Sequence, residues 1–102
     1  MITTANTYIV EDGSKSLYSA LDLQCVPTIH DDQGVVSVEV RVISDAGNVS
    51  AFINPVFTNA EIAAFTPSGT TDRDKFFNQV EQAVVDYLEG FSGNSSVTFS
   101  IT

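Results

Sequence analysis

Between Phe76 and Phe91 the apolar residues Phe76, Phe77, Val80, Ala83, Val84, Tyr87, Leu88 and Phe91 recur at spacings of three and four. That period predicts an α-helix with one buried stripe and not a strand. Thr71 stands at the N-cap position, and Asp72 and Asp74 fall in the first turn, where unpaired N–H groups and the helix dipole favour carboxylates. Gly90 stands where a left-handed C-cap is expected. At ~1.5 Å per residue, Asp72 to Gly90 covers about 28 Å, enough to cross a small sheet.

The pattern changes to a period of two over Val35 to Ile43. Val36, Val38, Val40 and Val42 share one face, and Ser37, Glu39 and Arg41 share the other. A return strand from Val49 to Phe57 follows a loop containing Asp45, Gly47 and Asn48. A loop of Asp45 to Asn48 pairs Val42 with Ala51, Val40 with Ile53 and Val36 with Phe57. A loop one residue longer sets Val42 and Val38 opposite Ser50 and Asn54, so the shorter loop is expected. Pro55 lacks a ladder donor, which puts the far end of this strand at an edge or a bulge.

Weaker signals fill the rest. Thr7 to Glu11 reads as a short strand closed by Asp12, Gly13 and Ser14. Ser16 to Gln24 fits either period, and a strand is expected from about Leu21. Pro27 holds Val26 extended, and His30 to Gly34 forms a hairpin loop. Thr58 and Glu61 have capping-box spacing, with Phe57 and Ile62 at the staple positions, so a short helix is expected from Asn59 to about Phe65. Ser92 to Ser95 reads as a polar loop, and Val97, Phe99 and Ile101 alternate with polar residues as a last strand.

These elements predict an α+β fold: a small antiparallel sheet of four to five strands, with a central meander, packed against one long helix in the C-terminal half and a short helix, and ending in a strand. Val80, Val84, Leu88 and Phe77 are expected to face Val38, Val40 and Ile53. The last strand must return either beside the first strand or beside the meander. One domain is expected over residues 1–102.

Composition then narrows the function. Hydrophobic residues make up 43% of the chain, enough for a packed core. Lys15, Arg41, Arg73 and Lys75 face thirteen acids, for a net charge of −9. That sign opposes direct binding to nucleic-acid phosphate or anionic lipid. No signal-peptide pattern or apolar span is visible, so cytoplasmic synthesis is expected, and the lone Cys25 reads as a small buried hydrophobe.

Catalytic chemistry finds little purchase. His30 with Asp31 and Asp32 is the one clustering of a histidine with carboxylates, and adjacent loop residues point apart and lack zinc-ligand spacing. No serine lies in a nucleophile elbow, no phosphate-binding glycine loop is present, since Gly90 and Gly93 follow a helix, and Asp45 to Asn48 lacks the further ligands of a calcium loop. No catalytic residue, metal or cofactor is therefore expected.

One feature stands out. The expected register puts Phe52 on the sheet face of Glu39, Arg41 and Ser50, flanked by Val35, Ile43 and Val56, which is less polar than a solvated face. Either the short helix covers it, or Phe52, Arg41, Val35, Ile43 and Val56 form a protein-contact surface. Glu81, Asp86 and Glu89 are read as a solvated acidic helix face, with docking of a basic partner as the sharper alternative.

The expected function is a non-enzymatic structural protein that self-associates or joins a larger assembly, as a capsid, decoration or tail subunit of a virus or bacteriophage particle. The alternative is an acidic inhibitor that mimics nucleic acid at a basic enzyme site. A small enzyme using His30 is a third reading.

Overall fold

The computed structural model describes residues 2–4, 7–9, 17–19, 22–43, 49–91, 94 and 98–101. In chain order the elements are β1 (Ile2–Thr4), β2 (Thr7–Ile9), β3 (Leu17–Ser19), β4 (Asp22–His30), β5 (Val35–Ile43), β6 (Val49–Ile53), β7 (Val56–Thr58), α1 (Asn59–Ala63), α2 (Asp72–Glu89) and β8 (Phe99–Ile101). The fold is α+β. A six-stranded sheet runs β6-β5-β4-β1-β8, with β7 also paired to β5, and β2 and β3 form a separate antiparallel pair.

The central hairpin follows the alternation of its residues. β4 and β5 pair from Asp22↔Ile43 to His30↔Val35 and close through a turn at Gly34, whose φ of 66° suits a residue without Cβ. The expected register of the return strand is observed: Val42↔Ala51, Val40↔Ile53 and Val36↔Phe57. It is interrupted, not continuous, because Pro55 has no N–H to give. Its carbonyl still accepts from Val38 N at 2.9 Å, and the register is the same on both sides of the break. A bulge lies at the other end, between Val42 and Ile43. The loop over residues 44–48 lies outside the described residues.

The N-terminal readings need correction. Of Thr7 to Glu11, Thr7–Ile9 is a strand, but it pairs with β3 and not with the main sheet. Leu17–Ser19 is likewise extended, which removes the helical alternative there; the turn at Asp12 to Ser14 lies outside the described residues. The strand that enters the main sheet from the N-terminal end is β1, where Ile2 pairs with both Leu23 and Ile101. β8 therefore returns to the edge beside β1. Pro27 is tolerated in β4 because Val38, its partner, turns its N–H toward Pro55, so Pro27 faces away from β5, beyond the short reach of β1.

Both helices lie on the valine face. Val36, Val38, Val40, Val42, Leu23 and Cys25 are buried in one cluster with Val80, Ala83, Val84 and Leu88 of α2 and Ile62 of α1. Thr58 caps α1, its hydroxyl accepting from Glu61 N while Glu61 Oε1 accepts from Thr58 N, and α1 ends at Ala63. Thr71 caps α2 by accepting from Asp74 N at 3.1 Å. Gly69, at φ 136°, is required before it, since a Cβ there would meet Asp74 Cβ at 2.7 Å.

Gly90 is not left-handed. It stays right-handed at φ −69°, ψ −15°, and the helix tightens so that Phe91 N donates to Leu88 O. This keeps Phe91 in the core. Asn94, expected in a polar loop, is buried, and its amide donates to the Leu88 carbonyl at 2.9 Å, satisfying a helix-end acceptor.

Candidate functional site

Strand alternation defines the opposite face of the sheet. Gln24, Arg41 and Phe52 lie side by side across β4, β5 and β6, and Thr28, Ser37 and Val56 do so across β4, β5 and β7. Phe52 is 53% exposed and Val56 60%, while Val35, Arg41 and Ile43 are half-buried among their neighbours. At ~3.3 Å per residue, Phe52 and Val56 stand about 13 Å apart along the edge.

The expectation that the short helix covers Phe52 is overturned. α1 inserts Ile62 into the core beside Phe57 and lies against α2, on the other side of the sheet, because its capping box and staple aim its apolar residues there. The five expected residues thus share one sheet face, spread from Val35 at one end of β5 to Ile43 at the other, with both described helices on the far face.

Four polar side chains of the open face form two pairs. Arg41 Nε donates to Glu39 Oε2 at 2.7 Å. His30 Nε2 lies 2.9 Å from Ser37 Oγ, away from Asp31 and Asp32, which are exposed in the turn. Arg41 therefore offers little free charge, and the face presents Phe52 and Val56 beside an ion pair already made. Such an arrangement supports hydrophobic contact more than charge recognition.

A second concavity opens on the helix side of the same edge. A groove of about 590 Å³ lies between β7, α1 and α2, lined by Phe57, Phe65, Ala83 and Tyr87 with Glu61 and Asp86. Its aromatic wall is ordered by edge-on contacts, Phe57 to Tyr87 at 6.3 Å and Tyr87 to Phe91 at 5.1 Å between ring centres. Its far wall is fixed by two amides of α2. Gln79 Nε2 donates to the Phe65 carbonyl at 2.8 Å, and Gln82 Nε2 to the Thr66 carbonyl at 2.7 Å, tying the α1–α2 connection to the helix. Sequence reasoning missed the groove, although Phe65 and Tyr87 bracket it at positions where an apolar residue follows a helix end or edges the stripe.

Glu81 is also reassigned. It is 6% exposed and not part of a solvated face; Asp86 and Glu89 are exposed as expected. The spacing already carried this signal, because Glu81 follows Phe77 by four and precedes Val84 by three, on the buried stripe. Burial first, and the Glu81 carboxylate second, push the Cys25 thiol up to about 12, so Cys25 is a neutral, buried group. Among the described residues no helix is long and apolar enough to cross a membrane. No family model matches the chain, and no curated protein or solved structure shows significant similarity to it.

Proposed function

We propose that the chain is a non-enzymatic assembly protein, a subunit of a virus or bacteriophage particle, that joins copies of itself or a larger assembly through the sheet face bearing Phe52. The observation that carries this reading is the exposure of Phe52 and Val56 on a face that neither described helix covers. Fully burying such a side chain is worth about 1.5–3 kcal/mol, so an association that covers both has a clear driving force.

The size of the face suits repeated contacts. Three strands at ~4.8 Å spacing and about 30 Å length present roughly 400 Å², about half of what each partner of a stable pair usually buries. One such contact is weak, and a lattice of many is strong. Within such a particle the net charge of −9 favours a position away from the packaged genome, in an outer shell, decoration layer or tail.

The inhibitor reading needs one continuous acidic stripe, and the described carboxylates are spread over several elements: Asp22 in β4, Asp31 and Asp32 in the turn after it, Glu39 paired with Arg41, Glu61 capping α1, and Asp72, Asp74, Asp86 and Glu89 along α2, where Glu81 is buried. The test is light scattering across ionic strength. Because like charges oppose the meeting of copies, association should strengthen as salt shortens the screening length to about 10 Å near 0.1 M. A chain that stays monomeric at high concentration and moderate salt refutes the reading.

A further inference from the structure

We propose that the open edge formed by β6 and β7 is a docking site for an extended, basic segment of another protein, which adds as a strand to the sheet and seats arginine side chains in the acidic groove beside Phe57 and Tyr87. The site differs from the Phe52 face in partner and in geometry, and it stands whether or not copies of the chain associate.

The edge is open because of where Pro55 points. In an antiparallel ladder the N–H and C=O of one residue point to the same side, and the sides alternate along the strand. Pro55 O accepts from Val38 N at 2.9 Å, and Asn59 N donates to Gly34 O at 3.0 Å, so Pro55, Phe57 and Asn59 face β5. The missing N–H of Pro55 therefore lies on the inner side and does not block the edge. Val56 faces outward, as does Thr58, whose N–H is taken by Glu61. The unchanged register across the break gives Phe52 the same outward direction. Among the described residues no strand lies beyond this edge.

The groove says what kind of strand fits. Side chains of an added strand alternate between the two faces of the sheet. Those on the helix side enter the groove, where Glu61 and Asp86 are the charged lining residues and no cation stands among the described lining; α2 has no basic residue in its last turn. One Glu61 oxygen holds Thr58 N, leaving the other to a ligand. An arginine satisfies both demands of the site: its planar group stacks on the face of Phe57 or Tyr87, and its fork of donors matches a carboxylate. Side chains on the other side lie beside Phe52 and Val56 and are therefore apolar. The occupant alternates basic and apolar residues.

A second copy of this chain does not supply such a segment. Of its four basic residues, Arg41 lies in the central strand β5, Arg73 and Lys75 lie in α2, and Lys15 has no second cation near it in sequence with which to form an alternating basic segment.

The experiment titrates the full chain with an alternating arginine–valine octapeptide, its glutamate–valine counterpart, and an arginine–valine peptide N-methylated on the amides that face the edge. Binding is read by amide chemical shifts and by hydrogen exchange at Val56. The arginine–valine peptide should bind and slow exchange at Val56, while the other two should not. Asp86→Asn and Glu61→Gln, the latter keeping the capping interaction, should each weaken binding by about tenfold without altering the fold. Failure of the arginine–valine peptide to bind at millimolar concentration overturns the proposal. So does equal binding of the methylated or glutamate peptide, unchanged affinity in the two variants, or protection of Val56 by self-pairing in the absence of peptide.

Discussion

The two faces of β4 and β5 differ in apolar content and meet different surroundings. On one face Leu23, Cys25, Val36, Val38, Val40 and Val42 are buried beneath α2. On the other, Val26, Val35 and Ile43 remain half-buried, and Phe52 and Val56 on the neighbouring edge stand in solvent. Alternation dictates that the faces separate, and the stripe on α2 selects the all-valine face because a single helix can cover only a narrow band of sheet. Coverage runs out even on that face, since Ile29, at the far end of β4, is 55% exposed. The apolar residues of the open face are therefore surplus to the core of the single chain. The proposed assembly contact would account for them.

The contrast is sharpest in stability. Leu88 is fully buried, so Leu88→Ala should cost ~2–5 kcal/mol in denaturant-monitored unfolding, through lost transfer energy and the cavity left behind. A loss within experimental error would show that α2 is not packed as described. A near-isosteric pair compares the faces directly. Val38→Thr places a hydroxyl in the core and should cost about 1–3 kcal/mol, whereas Val35→Thr on the open face should stay within about 0.5 kcal/mol. Equal effects at the two positions would erase the distinction between the faces.

Much of the fold was legible because its strongest signals are local and long. Eighteen residues of helical period and nine of strand period leave little ambiguity, and the register of β5 against its return strand followed from keeping apolar residues together. β1 was missed for the opposite reason: three residues show no period, and Ile2 gains its buried place only from Leu23 and Ile101, one of them at the far end of the chain. Gly90 was misjudged because the residue type permits a left-handed cap, while the need to bury Phe91 favours continuing the turn. The open face was legible as a set of residues, since parity alone unites Phe52, Arg41, Val35, Ile43 and Val56. That α1 does not cover it depends on the direction in which the capping box launches the helix, which the pattern leaves open.

A pH series probes the covered face from within. The Cys25 thiol is held neutral by burial and by Glu81, its pKa raised from 9.0 to about 12. Between those values the folded state keeps a proton that the unfolded chain releases, so stability is full below about 9.0 and falls as pH rises toward about 12. The slope due to this group is about 1.4 kcal/mol per pH unit. Unfolding measured from pH 8 to pH 11 should show Cys25→Ala losing stability less steeply than the parent, by roughly that slope. Parallel curves would mean that the thiol ionises as easily inside the protein as outside, and that the valine face is wetter than its burial indicates.

The smallest expected effect on the single chain falls on the open face, and its smallness is what makes it informative. Phe52 is 53% exposed and paired with Arg41 across the ladder, so Phe52→Asp removes little buried area and adds a charge in water. Unfolding free energy should change by no more than about 0.5 kcal/mol, the usual range for surface substitutions. Self-association read by light scattering should nevertheless be lost. Because the new carboxylate also raises the net negative charge, Phe52→Ser serves as the neutral companion: loss in both variants assigns the effect to the ring, and loss in Phe52→Asp alone assigns it to repulsion. Should either variant destabilise the chain as much as Val38→Thr, Phe52 belongs to the folding of the monomer, and the difference between the two faces is one of degree.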